Sequence, residues 1–268
     1  MVNSIKKFFE MKNRVVIITG SSGQLGTQYA DILSEAGANV VLVDLERKKN
    51  HSLEQKIKSK YKTHPYALEI DISDKNDVKK MISLVLKKYK KIDVLINNAA
   101  FTPRTHPKRD ASFEDYPLEL WENSLVTNLT GMFLCCQEVG KIMVKQRRGV
   151  IVNISSIYGL KGTDNRIYGK SRINPPSSYA ATKGGIINLS RYLAAYWENK
   201  NIRVNTLSLG GVFNNQEKSF IKNYSKKTML GRMATKEEYK AAMLFLCSDA
   251  SSYMTGSNLI IDGGWTAW

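Results

Sequence analysis

From Arg14 to the carboxyl end, short β-branched apolar runs alternate with longer segments of helical period, and this alternation most constrains what the chain can fold into. Strand–helix–strand repeats of this kind feed a parallel sheet. Strands are expected over 14–19, 39–43, 66–70, 93–97, 150–155, 203–208 and 259–262, and helices near 25–36, 74–88, 118–144, 179–199 and 236–246. No linker interrupts the series, so the 268 residues are read as one α/β domain over 1–268, a doubly wound sheet of seven mostly parallel strands flanked by helices.

Composition narrows the class of protein. With 43% hydrophobic residues, 18 Gly and 6 Pro, wholesale disorder and a collagen-like repeat are excluded. The formal net charge of +16 favours anionic partners through long-range attraction. Its carriers, among them Lys87, Lys88, Lys90, Lys91, Arg147, Arg148, Lys226 and Lys227, are spread along the chain as solvated helix ends are, and no nucleic-acid-binding motif accompanies them. No nucleic-acid partner is therefore expected. Cys135, Cys136 and Cys247 form neither a disulfide framework nor a spaced ligand set, and His51, His64 and His106 are scattered, so no metal is expected. Residues 1–13 lack an apolar export segment and 15–18 is too short to span a bilayer, so a soluble cytoplasmic protein without membrane contact is expected.

The first strand runs into Thr19-Gly20-Ser21-Ser22-Gly23-Gln24-Leu25-Gly26 at the start of the first periodic helix. Glycines here let backbone N–H groups approach a pyrophosphate at the positive helix end. At the end of the second strand, 24 residues after Gly20, Asp44 can accept hydrogen bonds from both hydroxyls of an adenosine ribose and would repel a 2′-phosphate. NAD is thus preferred, with NADP kept open because Arg47, Lys48 and Lys49 follow closely. Tyr179 and Lys183 are four apart and share a helix face; Tyr196 with Lys200 is a second match at the far end of the same helix.

Taken in order, Thr19-Gly20 with Gly26, Asp44, Asp71-Ile72, Asn97-Asn98-Ala99-Ala100, Asn128, Ser155-Ser156, Tyr179 with Lys183, and Asp262-Gly263-Gly264 strongly resemble the short-chain dehydrogenase/reductase family. The resemblance runs from the first strand to the carboxyl end and implies a Rossmann-like, NAD(P)-dependent oxidoreductase acting on a secondary alcohol or ketone. It implies Tyr179 as general acid/base, Lys183 lowering the Tyr179 pKa and holding the nicotinamide ribose, Ser156 binding the reacting oxygen, and Asn128 supporting a water-linked proton relay. Ser156 is chosen over Ser155 because Ser156-Ile157-Tyr158-Gly159 has the family's Ser-x-x-Gly spacing. Cofactor contacts are implied for Gly20, Ser22, Gly23, Gln24, Leu25, Gly26, Asp44, Leu45, Asp71, Ile72, Asn98, Ala99, Ala100, Tyr179, Lys183, Gly210 and Val212.

Two places depart from the pattern. The short, single-domain branch carries Thr-Gly-x-x-x-Gly-x-Gly, whereas here position 24 is Gln and the middle glycine is Gly23, a spacing known from the longer epimerase and dehydratase branch. The chain is too short for that branch's extra domain and is read as short-branch with a variant loop. In Leu209-Gly210-Gly211-Val212, Leu209 replaces the usual Pro, and Asn214 stands where Thr often occurs.

Substrate contacts are expected from long loops near 101–117, 158–178 and 212–230, with Arg104, Arg166 and Arg172 as candidate anion ligands. Residues 113–121, 165–169 and 263–268 are similar to family members of bacterial surface-glycan and flagellin-sugar biosynthesis, which implies a phosphorylated, nucleotide-linked or acidic sugar as substrate. Two other readings stay open: a 3-ketoacyl reductase whose basic surface docks an acidic acyl carrier protein, and a catalytically silent dinucleotide sensor. The family also implies a homo-oligomer, tetramer or dimer, with which the apolar end at 265–268 is compatible.

Overall fold

A computed structural model of the chain describes residues 3–103, 106–169 and 173–268. All seven expected strands form: β1 Val15–Thr19, β2 Asn39–Asp44, β3 Tyr66–Glu69, β4 Val94–Asn97, β5 Gly149–Ser156, β6 Ile202–Leu209 and β7 Asn258–Ile261. They make one sheet in the order β3-β2-β1-β4-β5-β6-β7, and every neighbouring pair is parallel. The chain winds outward from β1 to one edge, then returns to lay β4 on the other side of β1. A crevice opens beyond the carboxyl ends of β1 and β4, where ligands bind in such sheets.

The helices are α1 Asn3–Phe9, α2 Gly26–Glu35, α3 Arg47–Lys60, α4 Lys75–Tyr89, α5 Leu118–Leu125, α6 Met132–Gln146, α7 Ser177–Tyr196, α8 Lys218–Ser225 and α9 Lys240–Cys247. The strand period of two sorts side chains between two cores. Val15, Ile17, Val41 and Val43 face α4, α6 and α7, whereas Val16, Ile18, Val40 and Leu42 face α2 and α9. Burial on both faces explains why β1 is apolar at every position but its last.

Three helices were not visible as an apolar period. Helix α3 buries only Asn50 and Ile57, so it shows no apolar stripe. Helix α8 lies inside the stretch expected to be a substrate loop, and α1 precedes the first strand. The long helix expected over 118–144 is divided by a π-helical turn, Val126–Gly131, between α5 and α6. Such turns cluster at functional sites because they re-aim side chains. None of the helices among the described residues is long and apolar enough to cross a membrane.

Candidate active site

At the carboxyl end of β1 the backbone turns through Gly20, whose φ of +63° is in the left-handed region, and a Cβ there would lie 2.7 Å from Ala99 Cα. Asn98, just past β4, fastens this turn by donating its Nδ2 to the carbonyls of Thr19 (3.1 Å) and Gly20 (2.9 Å). In return Thr19 Oγ1 accepts the N–H groups of Asn98 (3.0 Å) and Ala99 (3.1 Å). At Gly26, a Cβ would sit 2.2 Å from the Gly20 carbonyl oxygen, so the first turn of α2 closes onto the loop only with glycine there. No side chain caps α2. The Thr27 and Gln28 N–H groups bond the Gly23 and Leu25 carbonyls, so what this end offers a pyrophosphate is the positive end of the helix dipole.

Asp44 ends β2 beside this loop: Oδ2 accepts the Ser22 N–H (2.9 Å) and Oδ1 the Glu46 N–H (3.1 Å). The carboxylate is therefore oriented before any ribose arrives. A buried network supports it, in which Ser21 Oγ donates to Asn50 Oδ1 (2.6 Å) and Asn50 Nδ2 donates to the carbonyls of Leu42 (2.8 Å) and Leu68 (3.1 Å). Asn50 belongs to the polar helix α3, so sequence periodicity gave no reason to notice it. Leu45 is exposed at the rim. Arg47 and Lys49 lie within ion-pair distance of Glu69 (3.8 Å) and Glu46 (3.4 Å), which offsets the cations that follow Asp44. Asp71 Oδ1 accepts from the N–H and Oγ of Ser73, and Ile72 packs against Gly131 in the π turn.

The other wall comes from β5 and α7. Tyr179 and Lys183 are one helical turn apart, and the Ser156 hydroxyl at the end of β5 lies near enough to the Tyr179 phenol to favour its ionised form. Lys183 is buried, donates Nζ to the Ile154 carbonyl (2.8 Å), and holds that ammonium 5.5 Å from the centre of the Tyr179 ring. Ser155 ties the helix to the strand by donating to the Lys183 carbonyl (2.8 Å). Gly159 permits this contact, since a Cβ there would approach the same carbonyl oxygen to 2.6 Å. The start of α7 is pinned as well: Ser178 Oγ donates to Ser124 Oγ (2.9 Å) and shares a hydrogen bond with the Tyr116 hydroxyl (3.1 Å).

Burial pushes Lys183 down to about 8. Burial also raises the Tyr179 phenol above its ordinary value, with the nearby Ser156 hydroxyl pulling the other way. In this structure desolvation of the phenolate outweighs the neighbouring groups, and Tyr179 rests as the neutral acid. Asn128, buried in the π turn, accepts the Phe101 N–H (2.6 Å) and donates to the Phe101 carbonyl (3.3 Å). It thereby fixes the exit from β4 beside the site.

Beyond β6, the Gly210 N–H donates to the Ile261 carbonyl (2.8 Å), and Val212 pairs with Ala234. Gln24, the departure from the family's glycine loop, donates Nε2 to the Phe213 carbonyl (2.9 Å) and so bridges the glycine loop to the segment after β6. Above this stands a small apolar cluster of Ile157, Ile167, Tyr224, Met233 and Trp265, to which Tyr158, Tyr168, Phe220 and Ile221 are added. Asp262 accepts from Gly264 and Thr266 to turn the carboxyl end so that Trp265 stacks on Tyr224 (4.5 Å).

Of the three arginine candidates, Arg104 and Arg172 lie outside the described residues. The Arg166 guanidinium is 81% exposed and committed to Asp164, which also takes Lys227 at 2.7 Å. The guanidinium is thus engaged within its own loop. Among the described residues no group of His, Cys, Asp and Glu could hold a metal.

A glycine turn with an oriented carboxylate on one side, and a Ser–Tyr–Lys set on the other, defines an oxidoreductase that works on CH–OH groups. A family model described as enoyl-(acyl carrier protein) reductase matches residues 20–266. The chain is 35% identical to a 3-oxoacyl-(acyl-carrier-protein) reductase of Chlamydia trachomatis, over 94% of this chain and 97% of that one. It is 32% identical to an NAD-dependent glycerol dehydrogenase of Listeria innocua, over 97% and 96%. Among solved structures, a short-chain dehydrogenase of Leptospira borgpetersenii with bound NAD+ superposes with a TM-score of 0.84 at 33% identity, covering 99% of this chain and 97% of that one. The chain belongs to the short-chain dehydrogenase/reductase family.

Proposed function

We propose that the protein is an NAD(H)-dependent dehydrogenase that interconverts a secondary alcohol and its ketone on a polyhydroxylated, sugar-like molecule. The carrying observation is buried Lys183, fixed on the Ile154 carbonyl 5.5 Å from the centre of the Tyr179 ring, with Ser156 at the end of the neighbouring strand. Gly20, Gly23, Gly26 and the positive end of α2 would hold the pyrophosphate, Asp44 the adenosine ribose, and Lys183 the nicotinamide ribose. The bound nicotinamide supplies the hydride acceptor or donor. In the oxidising direction Tyr179, as phenolate, takes the hydroxyl proton while Ser156 holds the oxygen; in the reducing direction the neutral phenol returns that proton to the forming alkoxide. Asn128 supports the water chain that reconnects Tyr179 with solvent.

The oriented Asp44 carboxylate supports NAD over NADP, and the similarity to a glycerol dehydrogenase supports a polyol-like substrate. The net charge of +16 supports an acidic or phosphorylated sugar, as in surface-glycan synthesis, over a neutral one. Three buried unpaired cysteines fit a reducing cytoplasm. A homo-oligomer, dimer or tetramer, is part of the same reading: Phe133, Tyr192 and Tyr196 stand exposed on α6 and α7, and light scattering on the purified protein tests it.

A second reading, 3-ketoacyl reductase, is favoured by the similarity to the C. trachomatis enzyme and by a basic surface suited to an acidic carrier protein. Following NADH formation and consumption with polyols, phosphorylated, nucleotide-linked and acidic sugars, and a β-ketoacyl thioester separates the two. Turnover of the thioester alone sinks the sugar reading, and tight NADH binding with no turnover at all leaves a sensor.

A further inference from the structure

Tyr158 lies two residues beyond Ser156, and no motif marks it. Its ring stands edge-on to Tyr179, with centroids 6.4 Å apart and planes at 84°. Its hydroxyl lies 3.1 Å from that of Tyr168, which is its one hydrogen-bond partner among the described residues. Thus the proton-transferring phenol has a second phenol beside it, half-buried on the same side of the helix start.

We propose that Tyr158 Oη binds a second hydroxyl of the substrate, carried by the carbon next to the one oxidised, and that Tyr168 is the positioning residue that aims it. This deepens the dehydrogenase reading and rests on it. A phenol paired with one other hydroxyl keeps one function for a ligand: it accepts if its proton goes to Tyr168, and donates if Tyr168 gives the proton. A substrate hydroxyl satisfies either state, whereas a carboxylate or phosphate only accepts. Burial holds Tyr158 neutral, so the pair stays a hydroxyl site at ordinary pH. The surrounding rings of Phe220, Tyr224 and Trp265 keep water from competing, which strengthens a single polar contact. Two oxygens on adjacent carbons would then meet Tyr179 and Tyr158, making the site selective for vicinal diols.

The test compares two matched pairs of probes with NAD+: butane-2,3-diol against butan-2-ol, and glycerol against propan-2-ol. Each pair shares a secondary carbinol and differs in the neighbouring hydroxyl. The expected wild-type ratio of kcat/KM, diol over mono-alcohol, is about tenfold or more, since a site that hydrogen-bonds a hydroxyl rejects the analogue lacking it. In Tyr158→Phe this ratio falls about tenfold, chiefly through the KM of the diol, and in Tyr168→Phe it falls less. NADH binding, followed by fluorescence, reports whether each variant is folded. An unchanged ratio in a Tyr158→Phe protein that binds NADH overturns the subsite; if that variant does not bind NADH, an unchanged ratio in Tyr168→Phe does so. A wild type that oxidises all four probes equally well also removes the subsite but leaves a dehydrogenase. A wild type that oxidises none of the four but turns over a polyol or sugar also removes the subsite, since an adjacent hydroxyl pair then does not suffice for recognition, and leaves a dehydrogenase. One that turns over neither these probes nor any polyol, sugar or β-ketoacyl thioester takes down the dehydrogenase reading and the subsite together.

Discussion

Lys183 Nζ donates to the carbonyl of Ile154 across 2.8 Å, so the end of β5 holds the lysine that stands behind Tyr179. Burial sets its pKa near 8, well below the ordinary 10.5 of lysine. The ammonium is present below about pH 8 and is lost as pH rises through it. Alcohol oxidation should therefore lose its lysine-dependent rate above about pH 8, while Lys183→Arg, if active, should extend the plateau upward. The same shift has a stability sign. Between about 8 and 10.5 the unfolded chain binds more protons at this site, so stability relative to Lys183→Met should rise with pH. Urea titrations of both proteins across this window check it; a difference independent of pH contradicts the burial argument.

Tyr179→Phe removes the proton that the proposed arrangement delivers to the reacting oxygen. A loss of about 10²–10⁴ in kcat is expected, with NADH affinity nearly unchanged because the pyrophosphate and adenosine contacts lie on the far wall. Stopped-flow turnover beside fluorescence titration separates the two quantities. A variant with wild-type turnover would remove Tyr179 from the chemistry.

Asp44 discriminates between cofactors through charge. Asp44→Ala should weaken NAD+ binding by about tenfold to a hundredfold, the value of a charged hydrogen bond, and raise relative use of NADP+. The KM ratio for the two cofactors is the measurement. An unchanged ratio means that Asp44 serves only to cap Ser22 and Glu46.

Gly159→Ala tests the packing that holds α7 against β5. The new methyl would meet the Lys183 carbonyl oxygen at 2.6 Å, and both partners are backbone with little room to yield. A destabilisation of about 1–3 kcal/mol is expected, with a loss of turnover larger than the loss of folded protein. Circular dichroism melts and active-site titration read the two effects.

Gln24→Ala removes the bridge to the Phe213 carbonyl. An exposed single hydrogen bond contributes little to global stability, about 1 kcal/mol or less. Locally, hydrogen exchange over residues 212–225 should quicken and NADH should dissociate faster, since the glycine loop is freed from the segment after β6. Exchange that is unaltered there removes the bridge as a structural tie.

Much of this molecule is written in short-range signals. Apolar runs such as Val15–Ile18, the glycines of the first turn, Asp44 at a strand end, and Tyr179 with Lys183 one turn apart depend only on near neighbours, because strand and helix periods and a positive φ are local properties. What the tertiary structure decided are the contacts between distant segments. Asn50 matters only because β2, β3 and the glycine loop converge on it, and its helix buries too few residues to show an apolar stripe. The π turn shifts the register by too little to disturb the helical pattern of 118–144, yet it aims Asn128 at Phe101. Lys227 comes from a distant segment to join the Asp164 carboxylate that Arg166 already holds. Tyr158 and the Tyr179 phenol owe their state to burial, which is a property of the whole packed chain and of no segment taken alone.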